Sequence, residues 1–291
     1  MPGKIVAVPG LYRRDEIDYE AINAVNQSTL KRIAKSPLHY QHRLEHELPS
    51  TVPMRLGSVA HTAILEPDRL ARDYAVWNPD GKKPDFRGKD FEEFAALAVM
   101  SGKRVIKPAE IEAAHRMAAA VQRNQLARRY LARGQAEPIL VWIDEATGIA
   151  CKARLDWIST SVADVMAELK TAADVAPFAF ESAFARNGYD VQTAFYCDGY
   201  KAATGRELYP KCIAVESSAP HDVIVYDLAE VVDVGRELYR EMLATLAECR
   251  RTGLWLGQSP TSERTLRLPR WRDPAEADAN TLDDLGLEVG T

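Results

Sequence analysis

Cysteine is scarce in this chain and scattered: Cys151, Cys197, Cys212 and Cys249 form no C-x-x-C pair. That spacing argues against a zinc site or an iron–sulfur cluster and leaves reduced, buried thiols as the expectation. No apolar run approaches the ~18 residues that would cross a membrane. The opening MPGKIVAVPGLYRRDE also lacks an apolar stretch long enough for a secretory leader. A cytoplasmic protein with no membrane partner is therefore expected. Basic excess is missing too, because 37 Lys and Arg stand against 42 Asp and Glu, a formal net charge of −5. The deficit is local. Residues 273–291 carry six acids and no Lys or Arg, and without them 37 basic residues face 36 acidic ones. A body so near neutrality can still present a basic groove to nucleic acid.

What is present describes an ordinary globular protein: 291 residues, 46% hydrophobic and 27% charged, with no internal repeat. After an extended lead-in, NQSTLKRIAKSPLHY reads as a short helix capped by Asn26 or Ser28, with Leu30 and Ile33 inward and Pro37 as its stop. Its Lys31, Arg32 and Lys35 are either a solvated face or a phosphate contact. MRLGSVAHTAILEP keeps helical spacing through Leu56, Val59, Ala60, Ala63 and Ile64. His61 lies off that stripe and leans over the turn of Gly57, where a glycine leaves room for a ligand. A hydrogen-bonded boundary histidine and a metal ligand are both open. NPDGKKPDFRGKD reads as an exposed, mobile loop. A helix opens at Pro108 and carries Arg123, Arg128, Arg129 and Arg133 towards one end.

From residue 137 the apolar period changes to that of a sheet. EPILVWI and IACKARLD are joined by the turn DEATG, VADVMAEL supplies a third strand, and KCIAVES and DVIVYDL two more. Helices end at Gly188 and Gly205, the first with Asp174 as a possible cap. In the second, Gln192, Tyr196 and Tyr200 share a face, a polar and aromatic stripe unlike a simple core face. A long helix spans 228–252, and TLRLPRW, held by Trp271, follows it. One domain over 1–272 is expected: a helical part at 20–135, a core at 137–227 and a C-terminal segment at 228–272. The acidic 273–291 would be a disordered tail.

The chemistry concentrates in CKARLDWISTSVADVMAELKT, residues 151–171. Strand residues i and i+2 share a face, so Glu168 and Lys170 project together beside Asp156. Two carboxylates suffice for Mg²⁺, which prefers oxygen ligands and retains waters and phosphate oxygens, and an ammonium can serve the phosphate or orient a water. This is the layout of a metal-dependent phosphodiesterase; the bland alternative is a solvated strand end. Glu137, opening the first strand, is either a further acid of the site or an exposed strand-start residue. Asp164 shares the face of Glu168, but Met166 stands where it would need a lysine.

The order helix with His61, three strands with Asp156, Glu168 and Lys170, helix with Gln192 and Tyr196, then strand resembles the αβββαβ core of the PD-(D/E)xK nuclease superfamily. GSVAHTAILEP, LDWIS, ELKTAADV, DVQTAFYCDGY and TLRLPRW resemble, in order, five motifs of the RecE-type phage exonucleases (exonuclease VIII), relatives of λ exonuclease. The resemblance runs from about residue 26 to residue 271. It implies an α/β fold with a central mixed sheet flanked by helices. It also implies a Mg²⁺-dependent exonuclease, with Mn²⁺ substituting, that digests linear double-stranded DNA 5′ to 3′, releases 5′-mononucleotides and leaves a 3′ strand for a single-strand annealing partner in recombination. His61, Asp156, Glu168 and the backbone carbonyl of Leu169 would surround two ions, with Glu137 as an additional acid. Lys170 would activate or position the water, and Gln192 and Tyr196 would steady the site and the DNA. A toroidal homo-oligomer is the family's pattern. Leu155 departs from the motif's proline and Glu168 from its aspartate; neither removes a ligand.

Overall fold

Capping residues set the helix boundaries. In the computed structural model, which describes residues 5–46, 51–79, 85–259 and 261–266, the side chain of Asn26 accepts the Thr29 amide and starts α1 (Gln27–Leu30). A 3₁₀ turn, Lys31–Ala34, continues it. Pro37 then opens a helix as well as closing one: Ser36 accepts the His39 amide and caps α2 (Pro37–Glu45), with proline in the first turn, where its missing N–H costs nothing. Thr51 caps α3 (Val52–Leu65), the helix of His61.

On either side of the expected loop NPDGKKPDFRGKD the chain forms regular structure: α4 (Leu70–Asp73), β2 (Tyr74–Val76), α5 (Lys89–Met100), which begins within its last two residues, and β3 (Arg104–Ile106), with β2 and β3 paired in parallel. Trp77, Phe86, Phe91 and Phe94 cluster there, which gives α5 an apolar seat that the turn-rich composition concealed. Of the expected loop, 80–84 lie outside the described residues. The helix from Pro108 is broken at Asn124, whose side chain accepts two amides of the following turn, so α6 (Pro108–Arg123) and α7 (Gln125–Leu131) are separate.

Two further sheets build the centre. β1 (Gly10–Tyr12), β5 (Ile139–Ile143) and β6 (Ala150–Arg154) form an antiparallel three-stranded sheet. In the Asp144–Gly148 turn between β5 and β6, Asp144 accepts both the amide and the hydroxyl of Thr147. The mixed five-stranded sheet has the order β10 (Val223–Asp227), β9 (Tyr209–Glu216), β8 (Val165–Ala172), β7 (Trp157–Ser159), β4 (Gly134–Ala136). Its β8–β9 pair is parallel and the others antiparallel. The three strands expected in one run are thus divided between two sheets, and Asp156 sits at the joint where the chain leaves β6 for β7.

Alternation along β8 assigns its faces. Ala167 and Leu169 pack with Val59, Ala60, Ala63 and Met117 of α3 and α6, whereas Met166 packs with Ala194 and Phe195 of α9 (Tyr189–Thr204). Helix α8 (Pro177–Asn187) covers β9 and β10 through Phe180 and Phe184, and α10 (Val232–Thr252) lies against α9. The central mixed sheet is therefore flanked by helices on both faces, as expected. Asp174 does not cap α8; it accepts the Ala176 amide one residue before the helix. The four cysteines are free and buried, and among the described residues no helix is long and apolar enough to cross a membrane.

The chain divides into two compact units, Met1–Trp255 and Leu256–Thr291. Within the second, Ser259 donates to the Ser262 carbonyl at 2.6 Å. Arg267–Trp271 of TLRLPRW and the acidic 273–291 lie outside the described residues.

Candidate active site

Glu168 and Lys170 project from β8 towards α9, as period-2 alternation demands. The Lys170 ammonium donates to Glu168 Oε2 at 3.1 Å and lies 4.7 Å from the centre of the Tyr189 ring. Gln192, one helical turn before Tyr196, directs its Nε2 to Glu168 Oε2 at 3.4 Å and to the Tyr196 hydroxyl at 2.9 Å. Tyr200, the third member of the expected stripe, is buried in the core with Trp142 and Leu246 instead. Asp164 is outside the site, paired with Arg206.

Asp156 reaches the same place from the sheet joint. Its Oδ2 accepts the Leu169 amide at 2.7 Å, and its own amide lies 3.4 Å from Glu168 Oε1. Because a strand residue turns its N–H and C=O to the same edge, the Leu169 carbonyl faces this edge too. From the other face of β8, α3 brings His61 Nδ1 to 3.5 Å from Asp156 Oδ1. Beside Gly57 the Thr171 hydroxyl stands 3.3 Å from where a Cβ would be, so the glycine lets α3 approach β8 there.

Glu137 links β4 to β5 in a left-handed conformation (φ 51°), uncommon for a residue with a side chain, and its amide donates to the Asp156 carbonyl at 3.0 Å. One ligand atom each from His61, Glu137 and Asp156 lie within 4.8 Å of one another. The structure thus brings His61, Glu137, Asp156, Glu168, Lys170, Gln192 and Tyr196 together, in two linked groups, and leaves Tyr200 and Asp164 out. His61, Glu137 and Asp156 form an open cluster, while Glu168, Lys170, Gln192 and Tyr196 form a hydrogen-bonded chain beside it.

Crowded carboxylates shift one another's protons. Burial and the Asp156 charge push Glu168 up to about 7, against the pull of Lys170. Burial would raise Asp156, but His61, Lys170 and the Leu169 amide hold it down at about 2. Burial would lower Lys170, yet Glu168 and Asp156 outweigh it and keep the ammonium protonated far into base. Burial likewise works against a charged His61, and Asp156 reverses it, so its pKa is raised. Glu137 is raised by burial and by Asp156. Tyr196 is raised well above the phenol range by burial and Glu168, and stays neutral. Several acids held this close want a cation. Carboxylates with one imidazole and a strand carbonyl are a hard, oxygen-rich donor set that suits Mg²⁺ or Mn²⁺ better than thiophilic metals.

Three residues at the site escaped sequence reasoning. Arg154 donates to Glu137 Oε2 at 2.9 Å. Arg14, from the N-terminal lead-in, pairs with Glu66 and lies 3.9 Å from Glu137 Oε2. Glu66 was visible only as a letter of the LEP motif, Arg154 only as a neighbour of Asp156, and Arg14 carried no signal.

Residues 26–263 match the sequence profile of the PDDEXK-like domain of unknown function (DUF3799), most of the chain. The chain belongs to that family. This PDDEXK-like protein also resembles a crystal structure from Eubacterium rectale described as a "Putative exonuclease", with a TM-score of 0.59 and 14% identity over 84% of this chain and 90% of that one. At that identity the likeness speaks for the fold. A comparison of the PDDEXK-like chain with curated proteins finds no match. The sequence expectation of a PD-(D/E)xK fold is met, and with it a nuclease-type architecture whose members generally depend on a divalent metal.

Proposed function

We propose that this PDDEXK-like protein is a Mg²⁺-dependent exodeoxyribonuclease that digests linear duplex DNA 5′ to 3′ and leaves a 3′ single strand for an annealing partner. The observation that carries the reading is the placement of Glu168 and Lys170 on one face of β8, with Asp156 hydrogen-bonded to the residue between them. Polarity, product, annealing partner and a toroidal homo-oligomer are supported by the five RecE-type motifs alone.

His61, Asp156, Glu168, the Leu169 carbonyl and Glu137 are the residues that would hold two Mg²⁺ or Mn²⁺ ions. A bound divalent ion supplies positive charge at the phosphate and lowers the pKa of a water. Lys170 activates or positions the water, or offers its ammonium to the phosphate. Gln192 fixes Glu168 and Tyr196 relative to each other, and the neutral Tyr196 hydroxyl keeps a proton to donate to a DNA oxygen. Hydrolysis joins the water oxygen to phosphorus and releases the 3′ oxygen, leaving a 5′-phosphomononucleotide.

The test is digestion of end-labelled linear duplex beside closed circular DNA, with Mg²⁺ and with chelator. The expected outcome is early release of 5′ label as mononucleotide, intact circles, and no digestion with chelator. Prior release of 3′ label would overturn the polarity. Cutting of circles would make it an endonuclease, and digestion in chelator would remove the metal.

A further inference from the structure

Charged groups outside the ligand cluster form an alternating row. Arg69 Nη1 lies 3.7 Å from Glu66 Oε1, Glu66 Oε2 pairs with Arg14 Nη1, the same Nη1 lies 3.9 Å from Glu137 Oε2, and that oxygen accepts Arg154 Nε at 2.9 Å. The Arg154 guanidinium sits 5.0 Å from the centre of the Tyr19 ring. The side chains of Arg14, Glu66 and Glu137 are 28, 18 and 16% exposed, so the middle of the row is partly shielded from bulk water, while Arg154 at its end is 40% exposed.

Position in the fold gives the row its consequence. Glu66 is the C-cap of α3, the helix that delivers His61. Glu137 belongs to the β4–β5 link and contributes the acid opposite His61. Arg14 is the side chain that touches both, and it does so from a segment fastened elsewhere. β1 pairs with β5, and the buried Lys152 ammonium donates to the carbonyls of Tyr19 and Ile22 at 2.7 and 3.0 Å. Both contacts run through the one nitrogen, Nη1, which hydrogen-bonds Glu66 and stands 3.9 Å from Glu137 as an ion pair.

We infer that Arg14 is a positioning residue that sets the distance between His61 and Glu137 by bridging Glu66 to Glu137, and that the glutamate of the LEP motif serves as its anchor. The inference rests on the reading of the His61–Glu137–Asp156 cluster as a cation site. Partners that orient metal ligands from behind typically contribute 10- to 100-fold in affinity.

The experiment is calorimetric titration of the full chain with Mn²⁺ alone, for wild type, Arg14→Ala, Arg14→Lys and Glu66→Gln, with thermal unfolding of each ion-free protein recorded separately. The expected result is a Kd for Mn²⁺ raised about tenfold in all three variants, with lysine failing to rescue because its stem, one bond shorter, does not carry the charge to where Nη1 stands. Unchanged or tighter binding in folded Arg14→Lys and Glu66→Gln would overturn the inference, even if the unfolding temperature fell. If Arg14→Ala did not fold, those two variants would decide. Absence of Mn²⁺ binding in wild type would instead strike at the cation site itself.

Discussion

Lys170 stands two residues beyond Glu168 and donates to its Oε2 at 3.1 Å. Glu168 and Asp156 raise its pKa against the effect of burial, so in the ion-free site it contributes charge and donated hydrogen bonds. Lys170→Met, which keeps the stem and removes the charge, is expected to slow Mg²⁺-dependent digestion at least about a hundredfold, measured under single-turnover conditions. Digestion within a few-fold of wild type would remove Lys170 from the chemistry. Asp156, Glu168 and Lys170 were legible because strand alternation is a local rule, and Gln192 with Tyr196 because helical spacing is one. Arg14 was not, since it meets Glu66 and Glu137 through tertiary packing that no local period encodes.

Between elements, the packing of α9 on α10 and on β5 keeps Gln192 and Tyr196 aimed at β8, with Asp198 of the DGY segment facing α10 and Gly199 facing β5. The Trp142 ring occupies the space beside Gly199, 2.7 Å from where a Cβ would stand, and at Gly235 of α10 a Cβ would collide with the Asp190 carbonyl. Asp198 takes two hydrogen bonds from Arg236, at 2.7 and 2.8 Å, and one from the Tyr239 hydroxyl at 2.6 Å. Burial works to raise the Asp198 carboxyl, but these bonds and the charges of Arg236 and Arg240 leave it below its ordinary value. A carboxylate with a depressed folded pKa contributes stability above its unfolded pKa, near 3.9, and loses it as pH falls through the lower folded value. Asp198→Asn should therefore cost about 1–3 kcal/mol at pH 7, with the gap to wild type narrowing as pH falls below the unfolded carboxylate value near 3.9, as read by urea unfolding at neutral and at acid pH. An equal gap at both would show that the carboxylate charge is not what α10 holds. The helices and their glycine stops were legible from periodicity and turn chemistry. The helix opened by Pro37 and the break at Asn124 were not, because a Ser-Pro or an Asn inside an apolar period reads equally as a stop, and the small β2–β3 sheet was not, because its aromatic seat is assembled by tertiary packing.

Over the whole molecule, the element order was legible but the division of the strands into sheets was not. Pairing of β8 with the distant β9 and of β5 with β1 is decided by packing, and it leaves Asp156 at the joint between sheets. That joint has an energetic consequence. His61, Glu137, Asp156 and Glu168 converge only when both sheets and α3 are assembled, so an ion that they hold binds the folded chain and has no comparable site on the unfolded one. Such a ligand stabilises by mass action, by about 2.7 kcal/mol at a hundredfold excess over its Kd. For a unit of this size that corresponds to a rise of roughly 5–10 °C in Tm. Scanning calorimetry with Mn²⁺ at that excess should show the rise, chelator should abolish it, and Asp156→Asn, which removes the charge shared by both residue groups, should show little of it. Identical midpoints with Mn²⁺ and with chelator in the wild-type protein would mean that the converging acids hold no ion, and that the arginines and Lys170 alone compensate them.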